Sequence, residues 1–226
     1  MRKPTIIRLF LALLLCICLP VRATLWRSYT AYSDITQVQK AGNTLYVLAS
    51  KRLFAYNTAD ESIQTFDRIN GLSDTPIAFI AWNNVAKRLV VVYDNQNIDF
   101  VMPNGEVQNL SDLYHKNMMV DKTVFGINTY GANTYLATGF GIVKLDDRKM
   151  QVNDTYNLGF KVNWTRIEGN RIWAYSDVVG CYAAPLTANL NDKNSWTRVG
   201  EYQANPQAQP DAKLLETAKK ANVGGP

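Results

Sequence analysis

The feature that most constrains this chain is an internal repeat. Residues 46–57, 91–101, 135–146 and 173–184 each read as an apolar strand, a short polar or glycine-containing turn, and a second apolar strand. In the first three, an apolar residue recurs seven positions on: Tyr46 to Leu53, Val91 to Ile98, Tyr135 to Ile142. The four anchors, Tyr46, Val91, Tyr135 and Trp173, lie 45, 44 and 38 residues apart. Spacings of about 40–50 residues are those of β-propeller blades.

The flanking residues complete each unit. Before each anchor stand residues that tolerate positive φ, as tight hairpin turns require: Gly42-Asn43, Asn83-Asn84, Gly131-Ala132-Asn133 and Gly169-Asn170. Further strands are expected before those turns, at 35–39, 77–82, 124–129 and 162–167. A last strand in each unit is expected at 62–66, 107–110, 150–156 and 195–199. Four antiparallel strands make one blade, and radial repetition leaves only short edges. The fold class is therefore all-β, four four-stranded propeller blades over 24–200. A sandwich or barrel with chance self-similarity is the competing architecture, and the repeated seven-residue offset argues against it.

The ends of the chain read differently. Arg2, Lys3 and Arg8 precede an apolar run from Leu9 to Leu19, then Pro20 and Val21-Arg22-Ala23. That is the layout of a secretory signal peptide, residues 1–23, cleaved after Ala23. The run is too short for a membrane span, which takes roughly 20 apolar residues as a helix. Leu15 and Ile17 stand before Cys16 and Cys18, where lipidation wants a small residue. Beyond Gly200 the repeat stops. Residues 203–210 have linker composition, and Asp211 is placed to cap a short helix over 212–221. Since most propellers close with more than four blades, the chain reads as part of a longer propeller. An open blade edge is expected to associate with another chain or aggregate, unless the four units close as a small propeller.

The export signal also disposes of the charge argument. The formal net charge is +5, but residues 1–23 carry four basic residues and no acidic one, so the remainder carries +1. A pI near 9 therefore does not point to nucleic acid as a partner. Two of the three cysteines also lie in the signal segment. Cys181 is left alone in an apolar-rich run, as a buried structural thiol.

No catalytic constellation is legible, and neither a cofactor nor an enzymatic activity is expected. His115 is the single histidine, in the polar stretch Asp112-Leu-Tyr-His-Lys, read as a solvated loop. Gly139-Phe-Gly141 lies between strands rather than before a helix, so it reads as a hairpin turn and not a phosphate loop. Asp146-Asp147 and Asp154 lack the alternating spacing of a calcium loop and read as a solvated turn. Asn70-Gly-Leu-Ser-Asp74 has two readings. Ser73 and Asp74 would touch a ligand at a propeller face, or Gly71 makes a turn, Leu72 packs between blades and Asp74 binds backbone amides. Five tryptophans offer flat faces to sugars. Trp82 and Trp173 fall in strands and are expected to pack between blades, whereas Trp26 and Trp196 lie near unit edges and are the candidate ligand faces.

At 70–74 the chain resembles the two-component-regulator propeller repeat, in which Gly-Leu plus a small polar residue opens a blade. Residues 26–38 (WRSYTAYSDITQV), 89–101 (LVVVYDNQNIDFV) and 135–159 (YLATGFGIVKLDDRKMQVNDTYNLG) resemble the N-terminal propeller of PorZ-like proteins of the Bacteroidetes type IX secretion system. The resemblance implies an exported, non-catalytic scaffold at the outer membrane, with secretion-complex proteins as partners. Lipopolysaccharide or a glycan is a further possible ligand, and in that family lipopolysaccharide binding goes with a C-terminal domain outside the matched region. The alternative function is a glycan-sensing propeller, like the periplasmic part of hybrid two-component regulators. A propeller enzyme would need clustered acidic or histidine residues at one face.

Overall fold

The computed structural model describes residues 34–223, so the expected signal peptide, residues 1–23, and Trp26 lie outside the described residues. Four antiparallel four-stranded sheets follow one another along the chain. Blade 1 is β1 (Ile35–Ala41), β2 (Thr44–Ala49), β3 (Arg52–Asn57) and β4 (Ile63–Phe66). Blade 2 is β5 (Ile77–Asn83), β6 (Arg88–Tyr93), β7 (Ile98–Val101) and β8 (Val107–Leu110). Blade 3 is β9 (Val124–Tyr130), β10 (Asn133–Thr138), β11 (Gly141–Asp146) and β12 (Gln151–Asn157). Blade 4 is β13 (Trp164–Glu168), β14 (Arg171–Ser176), β15 (Gly180–Pro185) and β16 (Thr197–Gly200). In every sheet the spatial order equals the chain order, the meander that the repeat predicts.

The first strands of consecutive blades, β1, β5, β9 and β13, pack on one another, so they form the inner rim. An inner strand has one unpaired edge, and its buried backbone groups need partners. Blade 1 supplies them to blade 2: Gln37 Oε1 accepts from the Ile80 amide at 2.7 Å, and Gln39 Oε1 from the Trp82 amide at 3.2 Å.

Side-chain alternation sorts each sheet into two faces. Tyr46, Leu48, Leu53 and Phe66 of blade 1 meet Ile80, Leu89, Val91 and Tyr93 of blade 2. The opposite face of blade 2, with Val90, Val92, Ile98 and Phe100, meets Leu136, Phe140, Val143 and Leu145 of blade 3. Tyr135, Ile142 and Tyr156 then meet Ile172, Ala174, Ala184 and Trp196 of blade 4. Three stacked seams thus join the four blades. At the third, Gly141 has φ +150° and an added Cβ would stand 2.1 Å from the Tyr156 carbonyl oxygen, which explains the glycine there.

Among the described residues three helical elements break the β pattern, one of them a 3-10 turn over Lys193–Ser195 before β16. Residues expected as a loop form a one-turn helix, α1 (Asp112–His115), whose end is capped by Lys122. The Lys122 ammonium donates to the carbonyls of Leu113, Tyr114 and Lys116 at 2.9–3.0 Å. After Gly200 the chain runs to α2 (Ala212–Val223), with Asp211 Oδ1 accepting from the amides of Lys213 and Leu214 at 3.0 and 3.1 Å. Ala218 of α2 is fully buried, and Leu214 joins it against Val38, Leu45, Val47 and Phe54, the face of blade 1 turned away from blade 2. Among the described residues no helix is long and apolar enough to cross a membrane.

Candidate functional site

Strand alternation places the blade-to-blade connections and the turns between second and third strands on one side of the molecule, here called the upper side. The Asn70–Asp74 segment lies there, between β4 and β5. Its conformation is set by Asp67, whose Oδ1 accepts from the Ile69 and Asn70 amides at 2.8 Å. Gly71 takes φ +108°, and Leu72 turns inward into the seam between blades 1 and 2.

Ser73 is tied to blade 2 rather than displayed. Its amide donates to Asp99 Oδ2 at 2.7 Å, and the Tyr93 hydroxyl donates to the same oxygen. Asn109 Nδ2 donates to Asp99 Oδ1 at 2.8 Å, so this fully buried carboxylate is held by three donors. Burial, together with the hydrogen bond to Asp99 and its charge, keeps the Tyr93 phenol far above its ordinary pKa. Asp74 accepts from the Thr75 amide at 2.8 Å and from Asn95. Partial burial pushes its pKa up, but hydrogen bonds from Asn95, Thr75 and Asn97 and the charge of Arg68 outweigh it, and the net direction is down. Of the two readings of this motif, the geometry shows the turn-and-packing one. Ser73 and Asp74 remain half-buried beside a charged rim, where Lys51 and Asp94 form an exposed ion pair.

The tryptophans divide in a way that corrects the expectation. Trp196, a candidate ligand face, is 6% exposed in the seam between blades 3 and 4, and its Nε1 donates to the Leu190 carbonyl at 3.1 Å. The ring is buried and its polar edge is used. Trp82 does pack between blades, stacked on Tyr46 with 5.8 Å between ring centroids. Trp173 lies in a strand as expected but points away from blade 3, half-buried beneath the Arg166 guanidinium at 4.9 Å. Beside it Trp164 stacks on Tyr175, with ring centroids 3.8 Å apart and planes 2° from parallel. Cys181 completes this cluster as a buried thiol whose pKa is raised by burial. The outward face of blade 4 therefore carries an aromatic cluster in which Trp164 and Tyr175 are buried, and Trp164 Nε1 donates to the Gln203 carbonyl at 2.8 Å.

The remaining candidates are quickly placed. His115 is exposed at the end of α1, edge-on to the Tyr114 ring at 4.8 Å. Phe140 lies in the β10–β11 turn with its ring buried, and the neighbouring glycines open that hairpin. The solvated-turn reading of Asp146-Asp147 holds for half of the pair. Asp146 Oδ1 accepts from the Arg148 and Lys149 amides at 3.0 and 3.1 Å, but Asp147 is fully buried. Among the described residues no group of three or more His, Cys, Asp or Glu is placed to hold a metal. A shallow cleft of about 280 Å³ opens beside α1, with Leu113, Met118, Phe140 and Val143 as apolar lining and Asp112 and Lys116 among its polar residues.

The stacked four-stranded meanders and their inner rim define an array of β-propeller blades. Residues 45–197 match the family model described as the N-terminal β-propeller domain of PorZ of the type IX secretion system, and the chain belongs to that family. It is similar to the structure of PorZ, an essential bacterial surface component of the type IX secretion system of Porphyromonas gingivalis, with 29% identity and a TM-score of 0.68. That similarity covers 74% of this chain and 22% of the PorZ chain, so the sequence spans about a fifth of that relative. The extracellular domain of the putative one-component system BT4673 from B. thetaiotaomicron shares the fold at 19% identity and a TM-score of 0.59, covering 77% of this chain and 23% of that one. The designed Ika4 protein has a TM-score of 0.53 at 10% identity, with 68% of this chain covering 91% of it. Among curated proteins no sequence matches this chain.

Proposed function

We propose that this chain is a non-catalytic binding scaffold, the N-terminal propeller portion of a PorZ-type component of a type IX secretion complex, exported to the outer membrane surface. The observation that carries this reading is the family match over residues 45–197. The similarity to PorZ, a bacterial surface component, supports the location. The chemistry of the faces is compatible with binding: the described carboxylates with resolved partners serve turns, seams and ion pairs. The upper side presents apolar side chains to solvent on three connections, Ile69 (93% exposed), Met119 (106%) and Val178 (71%). Solvent-exposed apolar groups on loops carried by a rigid scaffold suit protein recognition.

The test is affinity capture of the tagged chain, expressed within its full-length protein in a type IX-secreting host. Co-purification of other secretion-complex proteins is the expected result. It should be weakened at least tenfold by the Ile69→Asp/Met119→Asp pair, with the melting temperature unchanged. Capture of none of them would overturn the scaffold reading. The glycan-sensing alternative rests on the shared fold of the BT4673 domain. It would be supported instead by a thermal shift with a glycan, abolished by Trp173→Ala.

A further inference from the structure

We infer that Asp147 is a pH-responsive latch between blades 2 and 3, closed when its carboxyl is protonated and loosened when it ionises. The geometry is a carboxyl at the end of β11 that reaches across a blade seam. Its Oδ2 accepts from the Thr134 hydroxyl of its own blade at 2.7 Å and from Asn83 Nδ2 of blade 2. The same Asn83 amide faces the Asn133 carbonyl at 3.4 Å, and Asn83 Oδ1 accepts from the Val85 and Ala86 amides at 2.9 Å. Through Asn83, the blade 2 hairpin turn is thus tied to blade 3.

What makes the tie sensitive to protonation is the other oxygen. Asp147 Oδ1 is buried and has no hydrogen-bond partner, and both donors to Oδ2 are neutral. Ionisation places a full charge at a fully buried site with no cation bonded to it, which is costly in a poorly polarisable interior. The surrounding charges do not relieve it. Asp146 is of like sign and opposes ionisation, while Lys149 reaches only Asp146, at 4.0 Å. Arg148 follows in the same turn, where its amide is used by Asp146. Arg88 of β6 points toward this seam, but its Nη1 donates to the Ala86 carbonyl and its buried Nε is without a partner. Tyr135 also lies near the carboxyl, and burial pushes its phenol up to about 12, so it is neutral throughout this range. Burial is the largest influence, and although Thr134 and Asn83 pull the other way, the carboxyl titrates at about 6.

The sign follows from linkage. A carboxyl whose folded pKa lies above its unfolded value binds more protons when folded, so stability falls as pH rises between the two values. The window runs from the ordinary carboxylate value of 3.8 to about 6. Asp74, Asp121 and Asp177, whose pKa values are lowered, act in the opposite direction as pH falls, so the latch must be read as a difference.

The experiment is denaturant unfolding of the chain and of Asp147→Asn from pH 4 to pH 7.5. The ratio of their unfolding constants should change by roughly a hundredfold across that range, in the direction that disfavours the parent at neutral pH, and then level off. A ratio independent of pH would overturn the latch. Should Asp147→Asn fail to fold, NMR titration of the Asp147 carboxyl in the parent decides the matter: a midpoint near 6, moved upward by Thr134→Val, is expected. A midpoint below 4.5 contradicts it. Exchange protection of the Val85, Ala86 and Lys87 amides should fall as the carboxyl ionises; unchanged protection would mean that the seam does not respond.

Discussion

Blade 2 and blade 4 have the same four-stranded meander but different neighbours. In blade 2 the run Leu89–Tyr93 is buried on every residue, because blade 1 covers one face and blade 3 the other. In blade 4 the equivalent strand alternates in role. Ile172 and Ala174 are fully buried against blade 3, whereas Trp173 stands half-buried on the outward face under Arg166. The comparison shows that an apolar residue in a blade is core or surface according to what stands opposite. In the two-sided seams the facing blade covers aliphatic and aromatic side chains alike, while on the outward face of blade 4 aromatics shield themselves by stacking on one another and under a guanidinium.

Substitutions sharpen that difference. Phe100→Ala removes a fully buried ring from the seam between blades 2 and 3, and should cost about 3–5 kcal/mol in denaturant unfolding. Trp173→Ala removes a ring of similar size from the outward face, and should cost about 1 kcal/mol, mostly the cation–π contact with Arg166. Equal costs would break the comparison and mean that blade 4 is covered on both faces.

Much of this was legible from residue order. The repeat located all four sheets, and the β8 strand begins and ends where the alternation places it, at Val107–Leu110. The inner strands β1, β5 and β9 run one or two residues beyond their expected ends, because tight hairpins pair up to the turn itself, as with Ala41 opposite Thr44. What could not be read was the identity of facing groups. Asp147 sits beside Asp146 in a polar turn, and nothing local distinguishes the two carboxyls. The fate of Asp147 is decided by Asn83, 64 residues away in another blade. Trp196 and Trp173 were exchanged for a related reason. Position near a unit edge suggests exposure for Trp196, but a 3-10 turn over Lys193–Ser195 leads into it, and its ring is buried in the seam with Nε1 bonded to the Leu190 carbonyl. The helix α1 is not legible in the local sequence because its single turn depends on Lys122, eight residues from Tyr114, to bind its terminal carbonyls.

Hydrogen exchange resolved by residue tests the central claim, that this chain is an array of blades stabilised by the seams between them. The account predicts the slowest exchange in the middle strands of the two-sided blades, β6 and β7 of blade 2 and β10 and β11 of blade 3, faster exchange in blade 4, and the fastest among strands in β16. Uniform protection across the four blades, or slower exchange in β16 than in β6, would contradict it.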